Sequence, residues 1–521
     1  VIFMRFFSFF KKHHALSCIA AGLIYSLAFL QEWLFVFAYT GLYLFLNILF
    51  ESGTITHPFR KTFAFFMGYM PVLYSWFAEL YPFDGFDFSP AQGILIVILG
   101  ILGISLYHSA VTALIFMLSS LIPKNKPLLL PPCTAGLFII SEWLLNLGPL
   151  KFSWGTVALT QIKVLPLLQN ASLFGCYFIT FIVVTFCGYM ALFAQTGDRF
   201  ALRAGTASLL APAIIGIVLC VIPIKNDKAI KTAAIQGNAL SNEKWDSDRL
   251  QTIIDTNITL AEKAAENGAA LVVLSESAFP VSFTSGGEIH TRLAAICEKY
   301  GCTIVTGALI HDTDGKHNAM IAIRPDGTLT NYYTKRNLVP FGETLPFKNV
   351  IDFVLGLFGA TFDRVPYVEG NSADIIDIDG VRYGGVICFD SIFPWTVVDT
   401  TRSGANIIII VTNDSWYNDA PAVKQHVWHA ALRAVENGRY IVRAANTGIS
   451  CFITPKGEIR SATKALVETA TYDTVYTVET RTLYSYVGDV PLYLSLAGYA
   501  LFAVMRIIKG FRNHGKNQTV R

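Results

Sequence analysis

The chain has 521 residues, of which 53% are hydrophobic and only 15% are charged. This composition is too apolar for an ordinary soluble protein and predicts a large membrane-embedded part. The formal net charge is only +3, and nothing in the sequence marks a nucleic-acid surface. The nine cysteines are scattered without a CxxC pair or a His/Cys cluster, so the sequence predicts neither a metal site nor a cofactor.

The hydrophobic residues are concentrated in eight runs that predict membrane-spanning helices. These runs are Ala15–Leu30, Trp33–Phe50, Phe63–Leu80, Gly93–Leu118, Thr134–Leu147, Leu165–Phe193, Thr206–Ile224 and Val490–Ile508. The fifth run is short and contains Glu142. The first run also has the length of a signal-peptide core, but a membrane span is favoured because more apolar runs follow at once.

The charges between the runs predict the orientation of the chain. With a cytoplasmic N-terminus, the segments on the cytoplasmic side contain Arg5, Lys11, Lys12, Arg60, Lys61, Lys124, Lys126, Arg199, Arg203, Arg506, Lys509, Arg512, Lys516 and Arg521. The outside loop Tyr81–Pro90 contains Asp84 and Asp87, and only Lys151 and Lys163 are basic exceptions. This distribution follows the positive-inside rule. Seven spans then place the following region, up to Tyr486, outside the cytoplasm.

Residues 225–486 have the pattern of a globular domain in which strands alternate with helices. The predicted strands are Ile230–Ile235, Ala270–Leu274, Thr303–Leu309, Ala319–Arg324, Thr328–Thr334, Tyr383–Ile387, Asn406–Thr412, Ile441–Ala444 and Ser450–Thr454. The predicted helices are Asp246–Asn267, Glu288–Tyr300, Phe393–Ser403 and Val423–Asn437. The expected fold is therefore a multi-span α-helical membrane domain (1–224), a layered α/β sandwich domain (225–486), and a C-terminal transmembrane helix with a cytoplasmic tail (487–521).

Three residues with complementary chemistry each follow a predicted strand: Glu276, Lys335 and Cys388. Taken singly, each has an ordinary interpretation as a surface carboxylate, a solvated lysine or a structural thiol. Together, a carboxylate, an ammonium and a thiol provide a base, an oxyanion partner and a nucleophile. Because the same chain carries a membrane block, this combination predicts thiol-mediated acyl transfer on lipids.

Motifs along nearly the whole chain support this interpretation. They are Gln236-Gly237-Asn238, Lys244-Trp245, Ser275–Pro280, Leu338–Glu343, Asn413–Trp416, Gln425-His426, Arg433–Arg439, Arg443–Gly448, and, in the membrane block, Glu142-Trp143, Trp154-Gly155 and Pro166–Gln169. With these motifs, the order Glu, Lys, Cys resembles the nitrilase superfamily, and the full chain resembles its membrane-bound branch, the bacterial apolipoprotein N-acyltransferases. The chain departs from that family's usual Cys-Tyr-Glu, since Phe389 and Asp390 follow Cys388.

The resemblance implies an αββα nitrilase-like domain that faces the periplasm from the bacterial inner membrane. It implies a ping-pong reaction of a monomer, without a cofactor. Cys388 takes an acyl chain from a phospholipid, with phosphatidylethanolamine expected, and passes it to the α-amino group of the diacylglyceryl cysteine of an apolipoprotein. Glu276 is then the base, and Lys335 stabilises the oxyanion together with a backbone N–H near Phe389.

Supporting roles are also expected for Glu343, which would orient Lys335 or the base, and for Phe389 and Asp390 beside the nucleophile. Trp245 and Trp416 are predicted either to line the path of the lipid or to pack in the core. His426 and His429 lie three residues apart on a predicted helix and are expected to be core or interface residues.

Two rival functions remain open at this point. A membrane-tethered amidase would use the same three residues and pass the acyl group to water. A transporter or a non-catalytic scaffold would not need them, and a transporter is expected to show charged midplane residues in repeated halves. Inside the predicted spans only Glu142 and His108 qualify, and no repeat is visible.

Overall fold

The computed structural model of the protein describes residues 13–51, 53–82, 89–349, 352–353, 366–418 and 420–518. Several charges that predict the orientation lie outside the described residues, namely Arg5, Lys11, Lys12, Asp84, Asp87 and Arg521, and so do the side chains of Arg512 and Lys516.

Apolar helices form the N-terminal part of the chain and its C-terminal end. They are α1 (His14–Ser26), α2 (Val36–Leu49), α3 (Pro58–Leu73), α4 (Pro90–Phe116), α5 (Leu130–Leu144), α6 (Leu165–Leu168), α7 (Ala171–Phe174), α8 (Cys176–Thr196), α9 (Arg199–Val221) and, at the end, α16 (Val490–Gln518). Between α2 and α3, β1 (Phe50–Glu51) pairs with β2 (Thr54–Ile55). With the 3-10 turns that extend them, six helices of the described chain are long and apolar enough to cross a membrane: Glu32–Leu49, Pro90–Leu121, Pro127–Leu144, Cys176–Thr196, Arg199–Val221 and Val490–Lys509.

The helix α4 shows how this block differs from a soluble bundle. Its large apolar side chains, such as Leu95 and Leu99, are more than half exposed, while its polar side chains Ser105, His108 and Thr112 are buried. A soluble protein has the opposite arrangement. An exposed apolar face on a long helix fits a lipid environment, so the chain is a multi-pass membrane protein.

The predicted single span Leu165–Phe193 is wrong in its first part. There the chain forms α6 and α7, and the long helix α8 begins only at Cys176, after Gly175 adopts a left-handed backbone conformation with φ of 75°. The side chain of Gln169 donates to the carbonyl oxygen of Lys456 in the α/β domain, at 2.9 Å. Leu167, Leu168 and Ala171 of this segment are buried, while Leu165 is 41% exposed, so the segment packs partly against protein and does not form a span.

The α/β domain contains two six-stranded sheets. The first has the order β14-β3-β4-β5-β6-β7 and the second the order β13-β12-β11-β10-β9-β8. The strands are β3 (Ala229–Gln236), β4 (Leu271–Val273), β5 (Thr303–His311), β6 (Lys316–Ile323), β7 (Tyr333–Thr334), β8 (Ile375–Ile378), β9 (Val381–Ile387), β10 (Ile407–Thr412), β11 (Ile441–Ala445), β12 (Cys451–Ile453), β13 (Ile459–Arg460) and β14 (Thr469–Tyr476). The central strands β3, β4 and β5 run parallel, as do β9, β10 and β11.

The α/β domain also contains helices. They are α10 (Ser241–Lys244), α11 (Ser247–Glu266), α12 (Glu288–Tyr300), α13 (Pro394–Arg402), α14 (Pro421–Asn437) and α15 (Leu483–Val487). The inner faces of the sheets share one core, in which residues such as Val273 and Val305 meet Ile409 and Val411. Helices α11 and α12 cover the first sheet. The result is the expected αββα sandwich.

The second sheet is joined to the membrane block through α14. Buried residues of α13 and α14 belong to the same hydrophobic core as the helices α1 to α8. Parallel strands place their carboxyl ends at one edge of a sheet, and loops at that edge are the usual location of functional residues. The candidate residues should therefore be sought at the carboxyl ends of β4, β9 and β10.

Candidate active site

The structure brings the three predicted residues together at this edge. Glu276 follows β4, Lys335 follows β7, and Cys388 follows β9. All three are buried, with 5%, 1% and 8% of their surface exposed. Charged side chains are rarely buried to this extent unless they are paired. Their partners therefore decide what the site can do.

The Lys335 ammonium lies between two carboxylates. Its Nζ atom is 3.1 Å from Oε1 of Glu276 and 2.9 Å from Oε1 of Glu343. Asn318 donates to the same two carboxylates, at 2.7 Å to Glu276 and 2.9 Å to Glu343. The backbone N–H of Asn413 donates to the other oxygen of Glu276 at 2.7 Å. Glu276 and Lys335 are thus held in fixed positions, and Glu343 is in direct hydrogen-bond contact with Lys335.

The electrostatics fix the resting protonation states. Burial alone would raise the pKa of Glu276, but Lys335 and the hydrogen bond from Asn318 hold it below its usual value, so Glu276 is a carboxylate. Burial would likewise lower the pKa of Lys335, but Glu276 and Glu343 raise it well above its usual value, so Lys335 is an ammonium.

Cys388 directly follows β9 and is the first residue of a 3-10 helix, Cys388–Ile392. Its φ is 49°, in the left-handed region that non-glycine residues rarely adopt. Such strain is concentrated at functional sites. Burial, and then the negative charge of Glu276, raise the pKa of Cys388 far above that of a free thiol, and Lys335 opposes this rise. Cys388 is therefore a neutral thiol at rest, and a thiol in this state needs a base in order to act as a nucleophile.

Phe389 and Asp390 support the site from behind. Asp390 accepts hydrogen bonds from the Tyr333 hydroxyl and from both the backbone and the side chain of Asn337, each at 2.8 Å. It thereby ties the turn after Cys388 to the segment that contains Lys335. The Phe389 ring packs 5.4 Å from the ring of Phe152 in the membrane block. The aromatic neighbours of Phe389 provide an apolar environment, which suits a phenylalanine without the hydroxyl of the family's usual tyrosine.

A second group of charged residues lies behind Cys388. Asp414 accepts from Arg443 at 2.5 Å, and its other oxygen lies 2.9 Å from Nδ1 of His426. Nε2 of His426 is 3.0 Å from the Ser391 hydroxyl and 3.2 Å from the Cys388 carbonyl oxygen. These residues hold the backbone of the nucleophile.

Three of these side chains lie close enough to bind a metal ion in principle. The ligand atoms of Cys388, Asp414 and His426 are within 4.8 Å of one another. Both ring nitrogens of His426 already have hydrogen-bond partners, and the guanidinium of Arg443 places a positive charge against Asp414. The donor set fits a hydrogen-bonded network better than a cation site.

The predicted role of the two histidines as core or interface residues fits their positions. His426 is fully buried, and Nε2 of His429 lies 2.9 Å from the Trp154 carbonyl oxygen in the membrane block. The indole N–H of Trp154 donates to Gln425 at 2.5 Å. Helix α14 therefore connects the membrane block to the back of the nucleophile.

The two tryptophans are placed differently from core residues. Trp245 is 57% exposed and Trp416 is 46% exposed, so the core-packing alternative is wrong for both. Trp245 directly follows a buried lysine, Lys244, and Trp416 lies two residues after Asp414.

Several residues around the site had no role in the sequence-based prediction: Lys244, Asn318, Asp414 and Arg443. Arg443 interrupts the otherwise apolar buried strand β11, and Asn318 is a buried polar residue directly before the apolar part of β6. A polar residue in such a strand must find a partner, and this signal was available in the sequence.

The fold and the site define a thiol enzyme of the carbon–nitrogen hydrolase class that is built onto a membrane block. The carbon-nitrogen hydrolase family model matches residues 231–481, and the model for the apolipoprotein N-acyltransferase N-terminal domain matches residues 21–189. The apolipoprotein N-acyltransferase of Geobacter metallireducens is 30% identical over 68% of this chain and 70% of its own length. That of Gloeobacter violaceus is 30% identical over 84% of both chains. The solved structure of Saccharomyces cerevisiae Nit3, of the nitrilase superfamily, aligns with 51% of this chain and 96% of its own at 21% identity and a TM-score of 0.38.

The chain belongs to the apolipoprotein N-acyltransferase family.

Proposed function

We propose that this protein transfers an acyl chain from a phospholipid, through a thioester on Cys388, to the α-amino group of the diacylglyceryl cysteine of apolipoproteins. The observation that carries the proposal is the contact of Lys335 with Glu276 and Glu343 beside the buried thiol, in a domain fixed to a membrane block. The family relation supplies the substrate classes, a phospholipid and a lipoprotein.

In the first half-reaction, the Glu276 carboxylate takes the thiol proton of Cys388 while sulfur attacks the ester carbonyl carbon of the phospholipid. Lys335 and the backbone N–H of Phe389, in the first turn of its 3-10 helix, stabilise the oxyanion. The tetrahedral intermediate collapses to the thioester. Glu276 returns its proton to the departing alkoxide, which leaves as a lysophospholipid.

In the second half-reaction, the neutral α-amine of the acceptor attacks the thioester carbonyl carbon. Glu276, again a carboxylate, takes a proton from the attacking nitrogen. The amide forms, the sulfur of Cys388 leaves, and Glu276 returns the proton to it. The same base therefore serves both halves, and the enzyme is regenerated.

The proposed donor is phosphatidylethanolamine, and the proposed path for its acyl chain passes Trp245 and Trp416. Each indole is exposed within two residues of a buried polar residue of the domain. An exposed aromatic side chain with an apolar face and a polar N–H suits the boundary between lipid and water. The protein is proposed to act as a monomer.

The proposed location is the bacterial inner membrane, with residues 225–486 in the periplasm and domain boundaries as predicted from the sequence. Contacts between helix ends support this orientation. The α/β domain reaches the membrane block at Gln31, Glu79 and Leu219. The basic ends lie on the opposite side, where Lys61 contacts Glu51 and Arg506 donates to the Ser120 carbonyl oxygen. Cleavage of this domain by protease added to the cytoplasmic side of sealed vesicles would overturn the orientation.

One experiment tests the reaction. The purified protein is incubated with acyl-labelled phosphatidylethanolamine, and its intact mass is measured before and after addition of a diacylglyceryl lipopeptide with a free α-amine. We expect one acyl chain on Cys388 that is transferred to the lipopeptide as a hydroxylamine-resistant amide. Release of free fatty acid at the same rate with and without the acceptor would instead favour a hydrolase.

A further inference from the structure

A second lysine, Lys244, is buried beside the catalytic residues. It is 1% exposed, and its Nζ atom donates to the backbone carbonyl oxygen of Glu276 at 3.1 Å. Its ammonium lies close enough to the Glu276 carboxylate and to Cys388 for both to act on it electrostatically. A lysine is rarely buried without a reason, because the loss of water around its charge is unfavourable.

The position of Lys244 is fixed by the same frame that holds Glu276. Asn446 donates from its side chain to the Ala239 carbonyl oxygen at 2.6 Å and to the Asn413 side chain at 2.9 Å. Asn413 in turn donates its backbone N–H to Glu276. The short helix α10 then ends at Lys244. Hydrogen bonds of Asn446 and Asn413 therefore connect loops of the two sheets next to Lys244.

The charges around the site show what Lys244 contributes. Two carboxylates contact Lys335, namely Glu276 and Glu343. Behind Cys388, Asp414 is already paired with Arg443 and His426. Without Lys244, one ammonium would face these two carboxylates, and both a thiolate and a tetrahedral oxyanion would add further negative charge. Like charges in a buried site repel strongly because the local dielectric constant is low.

We propose that Lys244 is a positioning residue for the acyl-transfer reaction: its ammonium fixes the Glu276 loop and supplies the second positive charge that thiolate formation at Cys388 requires. This inference rests on the proposed role of Cys388 and Glu276. Lys244 acts through these two residues and takes no part in bond making itself.

The proposal predicts how the reaction depends on pH. Burial lowers the pKa of Lys244 to about 8, against the opposing effects of Glu276 and Cys388. Lys244 is therefore mostly charged at neutral pH and loses its charge above about pH 8. Its positive charge also lowers the pKa of Glu276. Removal of that charge should raise the pKa of Glu276 and move the acidic limb of the rate profile to higher pH.

Three substitutions separate charge from hydrogen bonding. Lys244→Met removes both, Lys244→Gln keeps an N–H donor without the charge, and Lys244→Arg keeps the charge. The rate of acyl-enzyme formation is measured for each purified full-length variant from about pH 5.5 to about pH 9.5, with phosphatidylethanolamine as donor. Lys263→Met, on the exposed side of α11, is the matched control.

We expect the Met and Gln variants to be slowed about tenfold or more at neutral pH, with the acidic limb shifted to higher pH, because one pKa unit corresponds to a tenfold change. The Arg variant should stay closest to the wild type and should lack the loss of rate above about pH 8, since a guanidinium keeps its charge there. A Gln variant equal to the wild type, or unshifted profiles in the Met and Gln variants, would overturn the proposal.

Failure of this inference can be told apart from failure of the proposed function. If Cys388→Ala still forms the acyl-enzyme, the proposed catalytic residues are wrong. If Cys388→Ala abolishes it while the Lys244 variants behave as the wild type, only the role of Lys244 is wrong. Thermal unfolding of each variant shows whether a rate change reflects misfolding.

Discussion

Two buried clusters of charged residues lie near Cys388. They contain similar residue types but have different roles. The catalytic cluster contains Glu276, Lys335, Glu343 and Lys244, and all four side chains come from the first sheet and its loops. The supporting cluster, consisting of Asp414, His426 and Arg443, comes from the second sheet and α14 and is at most 1% exposed.

The difference between the clusters lies in what their partners permit. In the cluster proposed to be catalytic, Lys335 contacts two carboxylates, so one of them can hold the ammonium without the other. In the supporting cluster, Arg443 and His426 both bind Asp414, which has no such freedom. We therefore propose that the buried ion pairs serve chemistry in the first cluster and hold the backbone in the second. The predictions below test this division.

The largest effect is expected at the nucleophile itself. Cys388→Ala should abolish both the acyl-enzyme and the product, and Cys388→Ser should nearly do so, because a hydroxyl is a far weaker nucleophile near neutral pH. Intact mass after incubation with labelled phospholipid is the measurement. The buried free thiols Cys297, Cys302 and Cys451 provide matched controls, and the thioester should still form without them. A loss of thioester in a folded variant of one of these, with Cys388→Ala still active, would assign the nucleophile elsewhere.

The two charged partners of Cys388 should differ in their response to pH. Glu276→Gln and Lys335→Met should each slow acyl-enzyme formation by about 10²–10⁴, the range for loss of a general base or an oxyanion partner. Glu276 raises the pKa of Cys388 and Lys335 lowers it. The Gln variant therefore has a more acidic thiol, and higher pH should partly restore its rate. The Met variant has a less acidic thiol and should not recover. Equal recovery of both variants in pre-steady-state measurements would contradict the assigned roles.

Substitutions in the supporting cluster should mainly lower the stability of the fold. Asp414→Asn leaves Arg443 without its buried counter-charge, and breaking a buried pair in this way costs about 3–5 kcal/mol of stability. The comparison is Asp255→Asn, which breaks the exposed contact of Asp255 with Arg292 at 2.7 Å and should leave stability close to that of the wild type. Thermal unfolding of the purified variants measures both. Similar losses in the two variants would remove the distinction drawn here.

The ion pair of Asp414 with Arg443 also predicts how the stability of the protein depends on pH. Burial would raise the pKa of Asp414, but Arg443 and His426 hold it well below its usual value. A lowered folded-state pKa contributes stability above the unfolded-state value, about 3.9, and this contribution is lost as the pH falls through the folded-state pKa. Acidification below about pH 4 should therefore destabilise the wild type more than Asp414→Asn.

Local patterns determined how much of this structure the sequence could predict. Helix Glu288–Tyr300 was predicted with its observed bounds, because its apolar spacing is regular and Gly301 ends it in a left-handed conformation. Strand β14 was missed, since it alternates threonine with few apolar residues and owes its conformation to pairing with β3, more than 200 residues earlier in the chain. Six of the eight apolar runs coincide with described helices that are long and apolar enough to cross a membrane, while Ala15–Leu30 and Phe63–Leu80 do not. Hydropathy also does not distinguish lipid contact from packing within the protein in the segment Leu165–Phe174.

The site shows the same division between local and distant information. Glu276, Lys335 and Cys388 could be singled out from the sequence because each carries its own chemistry at a strand end, and the structure places them together. Lys244 and Asp414 were left without a role because their function depends on partners brought close only by the fold. The protonation state of Glu276 could not be predicted either, since it depends on the balance between burial and the distance to Lys335.

The smallest effects are expected at Trp245 and Trp416, and they test whether these two side chains guide the lipid. Trp245→Ala and Trp416→Ala should change stability by no more than about 0.5 kcal/mol, because both indoles are largely exposed. If they guide the acyl chain, KM for a long-chain phospholipid should rise while the rate of thioester formation at saturation stays close to that of the wild type. Tyr472→Ala, at a 42% exposed aromatic residue on the edge strand β14, is the control. A short-chain donor should show a smaller rise in KM, since less apolar surface meets the indoles. Unchanged KM values for both donors would leave the two tryptophans without a role in lipid access.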